Sequence, residues 1–360
     1  MHPLYKRSIE LIRAHQAPSG AYVASPTFGE YAYCWFRDGA YIAYAMDLVV
    51  EQGSAARFYE WATHMVESRR AQIERAVEAA YYTKLPAPED LLHTRYALNG
   101  ETTDDDWPNF QLDGFGTLLW GIAEHVSMSG RPMPEAWRGA VDLLARYLGA
   151  LWRFPCYDCW EEFGDKVHTS TLAALYGGLN AASVLLGDGK HAEVAAAIKR
   201  FVLDHCVSNG SLCKFVGSEA VDSSLVHVAT PYRLLARDEP VMRATVERIE
   251  RELRQEGGGA HRYAGDSYYG GGEWVLLTAY LGWYYTEQGQ LARARALLAW
   301  VESCADADYM LPEQVAEHLN HPDMLPVWEE RWGPSARPLL WSHAAYLTLS
   351  EHLRRAGNVG

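Results

Sequence analysis

Apolar residues recur at spacings of three and four through most of the chain, and stretches that alternate apolar with polar residues are scarce. That period belongs to the helix rather than the strand, so it confines the chain to an all-α fold. It predicts twelve helices, near Pro3–Gln16, Asp38–Gln52, Ala55–Arg75, Asp113–Met128, Glu135–Trp152, Thr169–Leu186, His191–His205, Ser223–Leu235, Pro240–Gln255, Glu273–Glu287, Leu291–Ser303 and Ser342–Arg355. Glycines at Gly53, Gly130, Gly187, Gly257 and Gly289 supply left-handed C-caps. The helices differ in kind. Asp113–Met128, Thr169–Leu186 and Glu273–Glu287 are apolar nearly all round, whereas Glu135–Trp152, His191–His205 and Pro240–Gln255 carry charge on one face. An all-round apolar helix belongs in an interior and an amphipathic one on a rim. Their alternation predicts an (α/α)6 barrel of six inner and six outer helices. No Pro- or Ser-rich linker divides the chain and no solenoid period repeats, so residues 1–360 read as one domain.

Charge excludes two classes of partner. Against 32 Lys and Arg stand 46 Asp and Glu, a net −14 without a basic block. Nucleic acid and anionic membranes are therefore poor partners. The most apolar run, Ala40 to Val50, is interrupted by Asp47 and is far shorter than the ~20 residues of a membrane-spanning helix. The first residues contain no apolar stretch of signal-peptide length, and the six cysteines (Cys34, Cys156, Cys159, Cys206, Cys213 and Cys304) read as reduced thiols. The expectation is a cytoplasmic protein, monomer or homodimer.

The unusual chemistry collects in the joints between helices: Tyr33–Asp38, Thr103–Gly114, Pro155–Asp165, Gly257–Gly272 and Tyr309–Trp341. Loops on a rigid scaffold are where binding and catalytic groups concentrate. The chain has 13 Trp and 22 Tyr against 9 Phe, a bias toward flat rings with a polar edge. Such rings stack on the C–H face of a sugar, while Asp, Glu and Arg suit its hydroxyls. Trp61, Trp120 and Trp137 sit on helices and read as packing. Trp35, Trp107, Trp160, Trp274 and Trp341 lie in or beside joints and read as candidate walls of a site.

Two carboxylate positions stand out. Cys159-Trp160-Glu161-Glu162-Phe163 puts paired carboxyls beside an indole, whose desolvation raises a carboxyl pKa as a general acid requires. The plain alternative is a pair of exposed glutamates ahead of a helix start. Leu311-Pro312-Glu313-Gln314 is the second, in the long segment that runs to Trp341-Ser342-His343. A glycosidase needs two carboxyls facing each other across one bond. Cys156-x-x-Cys159 has the spacing of a redox pair or half a zinc site, but no further ligands complete it. The 14 histidines are scattered and no phosphate-binding glycine loop appears, so no metal or cofactor is expected.

At these residues the chain resembles glycoside hydrolase family 15, the glucoamylase-like enzymes. The resemblance runs through Trp35-Phe36-Arg37-Asp38-Gly39-Ala40, Asn109-Phe110-Gln111-Leu112-Asp113-Gly114, Trp160-Glu161-Glu162, His261-Arg262-Tyr263-Ala264-Gly265-Asp266-Ser267-Tyr268, and Leu311-Pro312-Glu313-Gln314 with Pro338-Leu339-Leu340-Trp341-Ser342-His343-Ala344. It implies an (α/α)6 catalytic barrel, Glu161 as general acid and Glu313 as the base that activates water. It further implies that Arg37, Asp38 and Arg262 grip the terminal glucose, that Glu162 contacts the next sugar, and that Trp35, Trp160 and Trp341 wall the pocket, with Gln111 and Asp113 at the second motif. Inverting carboxyls stand roughly 6.5–9.5 Å apart. With no carbohydrate-binding module, the expected substrate is a short soluble α-glucoside, isomaltose slightly ahead of maltose, with trehalose open. A sugar epimerase or isomerase on the same barrel, and a non-catalytic sugar-binding protein, are the rival readings.

Overall fold

The computed structural model describes residues 2–103 and 107–357. Residues 104–106, in the middle of the Thr103–Gly114 joint, lie outside the described residues. Among the latter the α-helices are α1 (Pro3–Ala14), α2 (Phe36–Leu48), α3 (Gln52–Glu67), α4 (Arg70–Tyr81), α5 (Asp113–Ser129), α6 (Glu135–Leu151), α7 (Thr169–Leu186), α8 (Lys190–His205), α9 (Pro240–Glu252), α10 (Val275–Glu287), α11 (Leu291–Ser303), α12 (Leu325–Trp332) and α13 (Leu340–Gly357). Three antiparallel pairs of two-residue strands pin joints together: Cys34–Trp35 with Arg95–Tyr96, Val207–Ser208 with Ser211–Leu212, and Glu273–Trp274 with Gln314–Val315.

The helices α2, α5, α7, α10 and α13 form an inner ring, closed between α7 and α10 by a 3-10 segment, Ser223–Val228. Outside it α3 packs on α2, α6 on α5 and α7, α8 on α7, α9 on the 3-10 segment, α11 on α10 and α13, and α1 on α13. The fold is the (α/α)6 barrel that the alternation of helix types implies, with a 3-10 segment as its sixth inner member. Every residue of α2 is buried, and in α10 only Glu287 is not. The α7 helix is long and apolar enough to cross a membrane by composition, yet 67% of it is buried inside the barrel. Helices α5 and α7 approach backbone to backbone: a Cβ on Gly116 would lie 2.5 Å from the carbonyl oxygen of Ala174, and one on Gly178 2.4 Å from that of Gly116.

Three details depart from the periodicity. The run Ala55–Arg75 is two helices, because the chain leaves helical geometry at Arg69 (φ −108°, ψ 18°). Its guanidinium turns to the carbonyl of Gly100 at 2.9 Å and lies over the ring of Tyr96. Ser223–Leu235 holds only the 3-10 turn capped by Asp222, and Pro231, which lacks an N–H and restricts Thr230 before it, prevents continuation. Helix α12 lies inside the segment read as a joint; at eight residues with Pro326 in its first turn, it is too short to print a period.

The inner helices point their N-termini to one end of the barrel. Arg37 and Asp38 open α2, Asp113 opens α5, and Trp341 opens α13. Carboxylates there face the positive end of the helix dipole.

Candidate active site

At that end lies a cavity of about 330 Å³ lined by residues from every predicted joint, among them Trp35, Arg37, Asp38, Trp107, Trp160, Glu161, Glu162, Arg262, Trp274, Glu313 and Trp341. That is within the range of small-molecule sites, and the mixture of indole faces and ionic groups suits a sugar. Of the eleven residues that the family resemblance names, nine meet on this one surface, together with Trp107 and Trp274. Gln111 and Asp113 do not; they stand a layer behind, accepting from Nη1 of Arg37 at 3.0 and 3.3 Å. Their contact is with the guanidinium that faces the cavity.

Glu161 sits at the tip of a bend, with φ 67°. Its Oε1 accepts from the indole N–H of Trp35 at 2.6 Å. The indole that reaches this carboxyl is therefore Trp35, through its N–H; the N–H of Trp160, its sequence neighbour, goes to Asp222 at 3.0 Å. The next carboxylate, Glu162, accepts from the Tyr263 hydroxyl at 2.5 Å and from Arg262 at 3.3 Å.

Glu313 is buried and rigidly supported. Its N–H donates to Ala336 at 2.9 Å, the following Gln314 pairs with Trp274, and the N–H of Leu311 donates to Nε2 of the buried His343 at 3.0 Å. Oε1 accepts from the Tyr31 hydroxyl at 3.0 Å, while Oε2 has no hydrogen-bond partner among the described residues. Burial pushes the carboxyl up to about 8, with the Tyr31 hydrogen bond and the Arg262 charge pulling the other way.

Two clamped guanidiniums complete the walls. Asp266, fully buried, receives Nε of Arg262 at 2.7 Å and also its Nη2, and so holds it bidentate. Arg262 lies 5.2 Å from the ring centroids of both Tyr268 and Trp274. Arg37 pairs with Asp38 at 3.4 Å and lies 5.2 Å from the Trp341 ring centroid. Burial pushes Asp38 up to about 7 against the pull of Arg37. The ion pair joins Nε of Arg37 to Oδ1 of Asp38, neither of which has a hydrogen-bond partner among the described residues.

Sequence reasoning missed several groups. Tyr31 and Tyr268 precede or end motifs without standing out among the many tyrosines. Trp328, Arg331 and Trp332 come from α12 and line the cavity. The Trp-x-x-x-Trp spacing was the one available signal, since residues four apart share a helix face. Cys159 lines the cavity and Cys156 is buried; both thiols are free, and burial pushes both up. Among the described residues no three His, Cys, Asp or Glu side chains are grouped to hold a metal.

Two carboxyls and two anchored guanidiniums around an aromatic-walled cavity make acid–base cleavage of a sugar linkage the chemistry open to this site, and the protein is a glycoside hydrolase. Known proteins place it more narrowly. The model of Glycosyl hydrolases family 15 matches residues 2–351, and the chain belongs to that family. It is 39% identical to an isomaltose glucohydrolase from Kribbella flavida, over 98% of this chain and 93% of that protein. A trehalase from Sulfolobus acidocaldarius is 23% identical, and this chain matches 56% of its length. A solved glycosidase superposes with a TM-score of 0.94 at 40% identity, covering 98% of this chain and 96% of its own. A variant of a glycosidase in complex with glucose superposes equally well, at 39% identity. A bacterial glucoamylase complexed with acarbose shares the fold, with a TM-score of 0.77 at 18% identity over 99% of this chain and 56% of its own.

Proposed function

We propose that the protein is an inverting exo-acting α-glucosidase that releases β-glucose from the non-reducing end of short soluble α-glucosides, isomaltose before maltose. Glu161 is the general acid that gives its proton to the glycosidic oxygen, and Glu313 the general base that takes a proton from water as its oxygen attacks the anomeric carbon. The C–O bond to the leaving sugar breaks on the face opposite the new one, so configuration inverts. One observation carries this reading: Glu313 has one oxygen fixed by Tyr31 and the other buried with no hydrogen-bond partner among the described residues, on the same cavity as Glu161. A free, oriented carboxylate oxygen is what a positioned water requires.

Arg37 and Asp38, at the floor where the inner helices begin, are suited to grip the terminal glucose; Glu162 with Arg262 is placed for the next sugar. The exo action rests on the 39% identity to an isomaltose glucohydrolase. The order of substrates rests on the 39% identity to an isomaltose glucohydrolase, against 22–24% to the trehalases. An epimerase would lean on histidine, and among the described residues no histidine lines the cavity. The barrel is read as one catalytic domain; the acidic balance and free thiols favour a cytoplasmic monomer or homodimer.

Proton NMR of the protein with isomaltose, maltose and trehalose in parallel tests the reading, with Glu161→Gln and Glu313→Gln as controls. β-Glucose appearing first from isomaltose supports it. Initial α-glucose would remove the water-activating role of Glu313, and no glucose from any of the three would return the choice to an isomerase or a binding protein.

A further inference from the structure

The bend that presents Glu161 is held by ions that do not reach the cavity. Glu161 and Phe163 both carry positive φ, 67° and 51°, a region disfavoured for residues with a Cβ. What holds them there is Asp158. Its Oδ1 accepts from the N–H groups of Trp160 at 2.9 Å and Glu162 at 3.0 Å, one on each side of Glu161. Its Oδ2 lies 3.0 Å from Nζ of Lys214. That ammonium reaches Oδ2 of Asp222 at 2.5 Å, and Asp222 accepts the indole N–H of Trp160 at 3.0 Å and both donors of Ser224. Lys214, Asp158 and Asp222 are all buried, and none lines the cavity.

Two carboxylates this close in a dry interior repel each other, and each strengthens as an acceptor only while ionised. Lys214 lies between them and makes both charges tolerable. We propose that Lys214 is a positioning residue for the acid carboxyl: by neutralising Asp158 and Asp222 it keeps the Trp160-Glu161-Glu162 bend in its strained, productive form. The proposal rests on the reading of Glu161 as the general acid. The same cluster reaches Arg262, because Ser223, next to Asp222, donates its N–H to the carbonyl of Arg262 at 2.8 Å. Lys214 also lies 3.9 Å from the ring centroid of Tyr263, whose hydroxyl holds Glu162. Without the cation one aspartate takes up a proton or moves toward water, and the amides flanking Glu161 lose their anchor.

The test compares a substrate that needs the acid with one that does not. The glucose that departs from isomaltose leaves as an alkoxide unless its oxygen is protonated, whereas fluoride departs from α-glucosyl fluoride without that help. Lys214→Met is expected to lower kcat on isomaltose by about 100-fold, within the span of general acid catalysis, and kcat on α-glucosyl fluoride by less than about fivefold, with KM within about twofold. Equal losses on both substrates, or no loss on isomaltose, overturn the proposal, since a merely structural role does not separate leaving groups. Glu161→Gln is measured beside it. If Glu161→Gln itself loses both substrates equally, the acid assignment fails and takes the proposal with it; if only Glu161→Gln separates them, Lys214 alone is at fault. Should Lys214→Met not fold, Lys214→Met with Asp222→Asn, which removes the second carboxylate along with the cation, is expected to keep the isomaltose kcat within about tenfold of the starting protein; a selective loss of about 100-fold in the folded double variant overturns the proposal.

Discussion

The hydroxyl of Tyr31 donates to Oε1 of Glu313 at 3.0 Å and shares a second hydrogen bond, at 2.8 Å, with the hydroxyl of Tyr268. Tyr31 has one proton to give. When Glu313 is ionised that proton goes to the carboxylate, and Tyr268 must donate to Tyr31. The chain of donors aligns Glu313 and favours its charged form.

Tyr31→Phe removes that donor. A hydrogen bond to a charged group is worth about 1.5–3 kcal/mol, so kcat/KM should fall roughly ten- to a hundredfold. The Tyr31 bond lowers the Glu313 pKa, so the ascending limb of the pH profile should also move upward by about one unit, worth 1.36 kcal/mol. A limb that stays in place while the rate drops would show that Tyr31 acts on something other than the charge of Glu313.

Glu313 also links stability to pH. Its folded-state pKa, pushed up to about 8, lies above the roughly 4.3 of an unfolded glutamate, so the folded protein holds the proton more tightly. Its contribution is fully present below about pH 4 and is lost as pH climbs toward 8. Glu313→Gln removes a buried charge and should raise Tm by a few degrees at pH 8, but little at pH 5. Melting curves at the two values decide it: an equal shift at both would mean the carboxyl is not the source.

Gly116 is the contact point of α5 and α7. Gly116→Ala drives a methyl into the Ala174 carbonyl, backbone against backbone, and should cost about 3 kcal/mol or more in urea unfolding. Gly53, for which the sequence predicts a left-handed C-cap, lies instead in the first turn of α3 with open space at its Cβ, and Gly53→Ala should stabilise by about 0.4–1 kcal/mol. Equal effects would contradict the close approach of the two inner helices.

Trp328 anchors α12 at the cavity by donating its indole N–H to the carbonyl of Ser267 at 2.9 Å. Neighbouring Trp332 lines the same cavity. Trp332→Ala should therefore raise KM about three- to tenfold, the worth of one aromatic contact, and leave kcat near its starting value. Initial-rate kinetics on isomaltose measure the split; a loss confined to kcat would place Trp332 nearer the reacting bond.

Much of this protein is local in origin. The helical period, the contrast between helices such as α10, buried all round, and α6, charged on one face, and the pairing of Glu161 with Glu162 are properties of neighbouring residues, legible without the fold. Where tertiary contacts compete with the period, it misled: the break at Arg69 answers to Gly100 and Tyr96, and the 3-10 turn at Ser223 to the cap from Asp222. The site is of the other kind. Tyr31 and Glu313 are 282 positions apart, Trp35 and Glu161 126 apart, and Lys214 meets Asp158 only where two joints cross. Periodicity reports which face of a helix is apolar, because burial acts on each turn alike. Which hydroxyl orients which carboxylate, and which ammonium lies beneath the bend, is decided by ring closure, because only a closed barrel brings those distant side chains within hydrogen-bond reach and removes the water that would otherwise separate them.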